Sequence, residues 1–343
     1  MRKKIRFIMR LTCILMILYV ITGNLVFAEN KLLLKVSGSA ATVKGNHTAE
    51  TFIKFKQLVE SYSDGEIEVR IFPEGTFGNE DDGVLAVRSG ECHLFNAASN
   101  NFAVHSPSIW PFSFPYMFKS YEHINRLVSG AFNQEIQDRV FKESGVRIVG
   151  YPSNGWRAVS NSKKPIKKLE DMRGLKIRVP KSPTIIETFK AWGVNPTPIG
   201  WSETFTALQQ KVCDGFDNPV NVIGSYRFYE VQKYVTTLKY QPQISVFVMN
   251  DQFWQNLSQK NKAAVQRALK ESINWCAKYV EKSMADYTVI CKKNGMVFYN
   301  LPPKEEARWS QAAKSIYPKL EKLCDKEWIT KFEQAVEVAG KGL

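Results

Sequence analysis

Little in this sequence offers a reactive centre. Its four histidines, His47, His93, His105 and His123, show no metal-ligand spacing, no G-x-S-x-G elbow is present, and no glycine-rich phosphate loop follows a strand. These gaps argue against hydrolytic, metal-dependent and nucleotide-phosphate chemistry, so no catalytic residue, metal or cofactor is expected. Cysteine is sparse. Of six, Cys13 falls in the leader, which leaves an odd five (Cys92, Cys213, Cys276, Cys291, Cys324) without C-x-x-C spacing. A chain with a sizeable core needs no disulfides even in an export compartment, and these side chains are read mostly as small buried apolar groups. Cys276 and Cys291 fall on one long helical run, too far apart to meet. Beyond residue 28 no segment reaches the ~20 apolar residues of a membrane span, and the mature chain is expected to be soluble. Repeats and low-complexity tracts are also missing.

What is present begins with a leader. Arg2, Lys3, Lys4, Arg6 and Arg10 form a basic start, Leu11 to Val20 an apolar run, and Val26-Phe27-Ala28 a small-residue cleavage site. This is the pattern of a secretory signal over residues 1–28, and it predicts an exported, periplasmic protein. The formal charge of +14 falls to +9 without those five basic residues. The remaining basic residues are scattered among acids, as where Lys163-Lys164 is followed by Glu170-Asp171. A nucleic-acid partner is therefore not expected, and the surface reads as solvated, with mild attraction for anionic solutes. At roughly 150 residues per domain, the 315 residues after the leader suggest two domains.

Strands and helices alternate along the chain. Leu32 to Val36 reads as a strand and His47 to Tyr62 as a helix, with Phe52, Phe55 and Val59 on one face. Ile67, Val69 and Ile71 alternate as a strand, Asn79 to Arg88 is helical, and Cys92 to Ala97 is the next strand. This rhythm predicts an α/β fold with a largely parallel sheet covered on both faces. The cluster from Trp110 to Tyr116 is read as a packed crossover rather than a ligand-stacking platform, because its prolines break regular structure. A second α/β unit follows: strands at Val146 to Tyr151, Ala158 to Ser160 and Leu175 to Val179, and a helix from Pro183 to Trp192. A helix from Ser202 to Gln210 is expected to be capped by Ser202, and a buried strand to run from Ile244 to Met249. Ser258 to Asn294 is one long helix without Gly or Pro, longer than an ordinary domain requires.

Two arginines and an asparagine stand in short motifs that point to anion capture: Arg157 in Gly155-Trp156-Arg157, Arg178 in Ile177-Arg178-Val179-Pro180, and Asn218 in Asp217-Asn218-Pro219. A guanidinium presents a rigid fork of donors that matches a carboxylate bidentately. The densest motif is Lys168-Leu169-Glu170-Asp171-Met172-Arg173-Gly174-Leu175-Lys176-Ile177-Arg178-Val179-Pro180. After it come Asn195-Pro196-Thr197-Pro198, Trp201-Ser202-Glu203, Ala207-Leu208-Gln209 and Phe228-Tyr229-Glu230-Val231-Gln232-Lys233. In order and spacing these resemble the solute-binding subunits of tripartite ATP-independent periplasmic (TRAP) transporters, of the dicarboxylate and sialic-acid binding type, from about Leu32 to the C-terminal helices.

The resemblance implies a two-lobed periplasmic solute-binding fold with crossing hinge strands and one long bridging helix. Lobe one would hold residues 31–155 plus 244–283, and lobe two 156–243 plus 284–343. It implies that Arg178 makes the principal salt bridge to a ligand carboxylate, that Arg157 is a second ligand arginine, that Asn218 bonds the same group, and that Trp201 lines the cleft. The loop Phe95 to Phe102 would complete the cleft, with Ser99, Asn100 and Asn101 as candidates. Sialic-acid binders carry a glutamate where Ala98 falls and an arginine where Asn101 falls, so the resemblance argues against sialic acid and removes an acid from the site. Lys181 either turns inward, to meet a second anionic group or a run of hydroxyls, or points to solvent without a role. Ser39, Asn46, His47, Tyr240 and Gln243 are weaker candidates for hydroxyl contacts. The implied role is capture of a small organic-acid anion, a sugar acid or short dicarboxylate, by a monomeric receptor serving two integral membrane subunits. The alternatives are a sensory binding protein for the same solutes, or a hydrolase or lyase acting on a carboxylate.

Overall fold

Two sheets share a single long strand, and that sharing organises the whole molecule. The computed structural model describes residues 31–40 and 42–343, so the proposed leader lies outside the described residues. In the first sheet the order is β2 (Ile67–Ile71), β1 (Leu32–Gly38), β3 (Leu94–Ala98), the second half of β9 (Tyr234–Asn250) and β4 (Val146–Gly150). In the second sheet β7 (Asn195–Pro198), β6 (Lys176–Val179), β8 (Gly215–Pro219) and β5 (Ser153–Asn161) lead to the first half of β9, which also pairs with β10 (Val297–Asn300). β1, β2 and β3 are mutually parallel, as are β6, β7 and β8, while β9 runs antiparallel to β3 and β5.

Side-chain alternation along β9 explains how one strand serves both cores. Ile244, Val246 and Val248 join the cluster on one face of the first sheet, and Phe247 and Met249 the cluster on the other. Further back, Val235 belongs to one cluster of the second lobe and Leu238 and Tyr240 to the other. The strand is nearly three times the length legible at Ile244 to Met249, because Thr236, Thr237, Lys239 and Gln241 interrupt the apolar pattern.

The elements read from periodicity form largely where expected. The helix His47–Tyr62 buries Phe52, Phe55 and Val59 and is capped by Asn46, whose side chain accepts from Thr48 N at 2.9 Å. The crossover after residue 106 is a 3-10 turn, Pro107–Ser113, with Ile109, Trp110 and Phe112 in the first lobe's core. The long helix runs over Gln259–Lys293, with Ser258 accepting from Asn261 N as its cap. It presents Val265, Ala268 and Leu269 to the first lobe's core and Cys291 to the second's. No helix among the described residues is long and apolar enough to cross a membrane. The five described cysteines are unpaired, four of them buried.

Three expectations need correction. The helix anticipated from Ser202 spans Thr204–Gln209, and its cap residue is Glu203, without a side-chain cap bond; Ser202 lies in the turn before it. The C-terminal helix Lys326–Ala339 packs Trp328, Ile329, Phe332 and Val336 in the first lobe's cluster with Phe112 and Ile136, not with the second lobe to which 284–343 were assigned. Its apolar face finds the aromatic crossover, whereas the helix Pro303–Lys314 stays with the second lobe through Trp309 and Ala313. β7, β8 and β10 were not anticipated at all.

β5 crosses between the sheets, and its register against β9 shifts between Ser153, Trp156 and Ala158. Gly155 sits in that shift with φ of 105°, and a Cβ there would meet Pro219 Cβ at 2.9 Å and Met284 Sδ at 3.2 Å. Gly155→Ala is expected to lower stability by about 1–3 kcal/mol, since both the backbone conformation and the space favour glycine. A denaturant titration with an unchanged midpoint would show that the strand relaxes at no cost.

Candidate functional site

The C-terminal ends of β1, β3, β6 and β8 face a cleft between the lobes, the place where parallel α/β sheets leave side chains and helix starts unoccupied by the ladder. It measures about 590 Å³ counted out to its open mouth. Contacts cross it: Asn46 Nδ2 donates to Ser225 Oγ at 3.2 Å, Asn221 Nδ2 meets His47 Nδ1 at 3.3 Å, and Tyr226 Oη donates to Glu74 Oε2 at 3.0 Å.

Arg178 is the third residue of β6, in register with Thr197 on β7 and Phe216 on β8. Ile177 and Val179 on either side point into the core, so alternation turns Arg178 to the opposite face. Its side chain is buried, 2% exposed, yet none of the ion pairs among the described residues includes it. Nε and Nη2 both donate to the Ile199 carbonyl, at 3.0 and 2.7 Å, which leaves the other edge of the fork unspent. Burial pulls its pKa down to about 10, opposed by Asp217 and assisted by Arg157. The Trp201 ring lies 5.9 Å from the guanidinium carbon and packs edge-on against Tyr226.

Arg157 is equally buried but differently placed. Nε donates to Asp217 Oδ2, Nη2 to the Asp217 carbonyl at 2.9 Å, and Nη1 to Gln243 Oε1. Asp217, with no exposed surface, also accepts from the Tyr240 hydroxyl. Burial is the largest influence on the Arg157 pKa and acts downward, but Asp217 and Tyr240 together drive it upward. The two arginines are therefore electrostatically unlike, one neutralised from within the protein and the other not.

Arg178, Arg157, Asn218, Trp201, Asn100 and Asn101 come together on the cleft wall, joined by Ser39, Asn46, His47 and Gln243. Ser99, Tyr240 and Lys181 are not part of that wall. Ser99 is buried in the turn Ser99–Phe102, where its carbonyl accepts from Ala103 N. Tyr240 lies behind Arg157 among Phe189 and Trp192, and Lys181 is exposed. Burial lowers the His47 pKa to about 4, with only a smaller opposing influence from the nearby Asn154, so the ring is neutral at pH 7. Since Asn221 Nδ2 can only donate to Nδ1, the ring proton sits on Nε2.

The sequence reading missed Thr48, Asn96, Asn154, Tyr226 and Ser245, which also line the cleft, and above all Glu80. Glu80 opens the helix Glu80–Ser89 and accepts from Ala98 N at 2.9 Å and from Asn101 Nδ2. Asn100 Nδ2 in turn donates to Asn101 Oδ1 at 2.7 Å, so the asparagines orient one another and the acid. Burial raises the Glu80 pKa despite these bonds. The acid whose loss at Ala98 was inferred is thus replaced from a different element. In sequence Glu80 looks like one of three helix-start acids, and Asp81 and Asp82 beside it are solvent-exposed.

A two-lobed frame with shared hinge strands and an arginine-lined cleft defines a solute-binding protein. The chain belongs to the DctP family, described as bacterial extracellular solute-binding protein, family 7, which it matches over residues 39–323. It is 32% identical to the 2,3-diketo-L-gulonate-binding periplasmic protein YiaO of Escherichia coli K12, over 66% of this chain and 69% of that protein. The sugar acid binding protein DctPAm from Advenella mimigardefordensis, solved with galactonate, superposes with a TM-score of 0.84 at 25% identity, over 90% of this chain and 99% of that one. A TRAP periplasmic solute binding protein from Sulfurospirillum deleyianum with bound succinate gives 0.80 at 27%, over 89% and 99%.

Proposed function

We propose that this protein is the extracytoplasmic receptor of a TRAP transporter, capturing a small organic acid by its carboxylate between the lobes and delivering it to two integral membrane subunits. The observation that carries this reading is Arg178: a guanidinium buried without an acidic partner among the described residues, its unspent edge on the cleft wall. Burying an uncompensated cation is unfavourable in the empty protein and becomes favourable when an anion fills the gap. Asn218, from the neighbouring strand, adds a neutral partner for the same carboxylate, and Trp201 an apolar wall for the carbon skeleton. Arg157, held by Asp217, orients rather than supplies net charge. Closure expels water and strengthens each of these interactions, so the ligand selects the closed form. Export to the periplasm and docking of the closed form on membrane partners complete the reading, supported by the leader pattern and the family.

A thermal-shift screen against sugar acids, short dicarboxylates, hydroxy and keto acids and sulfonates tests it. A true ligand at 100 times its Kd is expected to stabilise the protein by about 2.7 kcal/mol, and mass analysis is expected to return it chemically unchanged. Stabilisation by neutral sugars or amines in place of any acid, or conversion of the acid to product, would reject the assignment.

A further inference from the structure

We propose that Glu80 sets the charge class of the ligand, so that the cleft takes a polyhydroxylated monocarboxylate and discriminates against dicarboxylates. This rests on the reading of Arg178 as the carboxylate anchor and adds to it the chemistry of the remaining wall. Among the described residues the charged groups of the cleft are Arg178, Arg157 and Glu80, with Asp217 directly behind Arg157. Asp217 cancels Arg157, which leaves Arg178 as the one cation to answer a ligand charge. Glu80 lies close enough to act on that charge. Lys181, the remaining candidate for a second anchor, is exposed and off the wall. A second ligand carboxylate would enter a site with no cation left to meet it.

The rest of the wall asks for hydroxyls. Glu80 is fixed by Ala98 N and Asn101 and keeps acceptor capacity on both oxygens. His47 Nε2 and Asn96 Oδ1 are buried on the wall without a hydrogen-bond partner among the described residues. Buried polar atoms in this state are costly unless a ligand completes them. A hydroxyl both donates and accepts, so a chain of them can serve Glu80, Asn96 and the His47 N–H in turn. A carboxylate only accepts, and offers nothing to Glu80 but repulsion.

The test is calorimetry at neutral pH on the parent protein and on Glu80→Gln, with erythronate, gluconate and galactonate set against succinate and malate. The parent is expected to bind at least one of the monoacids about 100-fold more tightly than either dicarboxylate, the size of one unpaired charge at close range in an intermediate dielectric. Glu80→Gln keeps shape and removes charge, and is expected to narrow that ratio by about tenfold or more, chiefly through tighter dicarboxylate binding. A parent that prefers succinate or malate, or a folded Glu80→Gln variant with an unchanged ratio, would overturn the role of Glu80 and leave the receptor reading intact. A parent that binds none of these five acids would overturn the ligand class proposed here, and the wider acid screen then decides the receptor reading separately. Should the variant not fold, the parent's ratio alone still decides the ligand class.

Discussion

Arg178→Ala is expected to weaken ligand binding by about 2–5 kcal/mol, or roughly 30-fold to several thousandfold, because the bound carboxylate is left buried without its partner. Arg178→Lys should also lose affinity, since an ammonium cannot reproduce the fork that the Ile199 carbonyl holds in plane. The same substitution has a second, opposite signature. In the empty protein the guanidinium lacks an acidic partner and its charge is disfavoured by burial, so Arg178→Met should leave the unliganded protein at least as resistant to denaturant as the parent. Loss of binding with stability retained is the mark of a group kept for its ligand. Calorimetry showing parental affinity in Arg178→Ala would remove Arg178 from the site, and a marked loss of apo stability in Arg178→Met would make it structural.

Asp217→Ala should behave in the reverse sense. The carboxylate has no exposed surface, accepts from Arg157 Nε and from the Tyr240 hydroxyl, and holds both between the second lobe's core and the cleft. Its removal leaves a buried cation and a buried phenol unanswered, a loss of about 3–5 kcal/mol in urea unfolding. Asp217→Asn, which keeps the shape and some hydrogen bonding, should lose less. A stable Asp217→Ala variant would mean that Arg157 finds water or the cleft instead, and its ion pair would then count for little. The contrast between the two substitutions separates the arginine that serves the ligand from the one that serves the fold.

How much of this was legible in the sequence follows from how local each signal is. The helix His47–Tyr62 announced itself through apolar spacing, and Gln259–Lys293 through a long run free of glycine and proline, both signals that are local in the chain. β7 was hidden because Pro196 and Pro198 read as breakers, yet an edge position in the sheet tolerates them. The destination of Lys326–Ala339 was not written in its own amphipathic pattern, which demands a partner face without naming one. In the cleft, Arg178, Asn218 and Trp201 stood in recognisable motifs. Glu80 did not, since only tertiary structure separates it from Asp81 and Asp82. Nor could spacing reveal that Asp217, adjacent to the expected ligand contact Asn218 on Gly215–Pro219, neutralises one arginine and spares the other.

The strand Tyr234–Asn250 has a consequence for how the molecule comes apart. Neither sheet can complete its ladder without it, for it supplies an inner neighbour to β3 and β4 on one side and to β5 and β10 on the other. Peeling one lobe open to solvent would strip hydrogen bonds from both cores at once. The two lobes are therefore expected to melt as one cooperative unit, with a common thread through the seam between them.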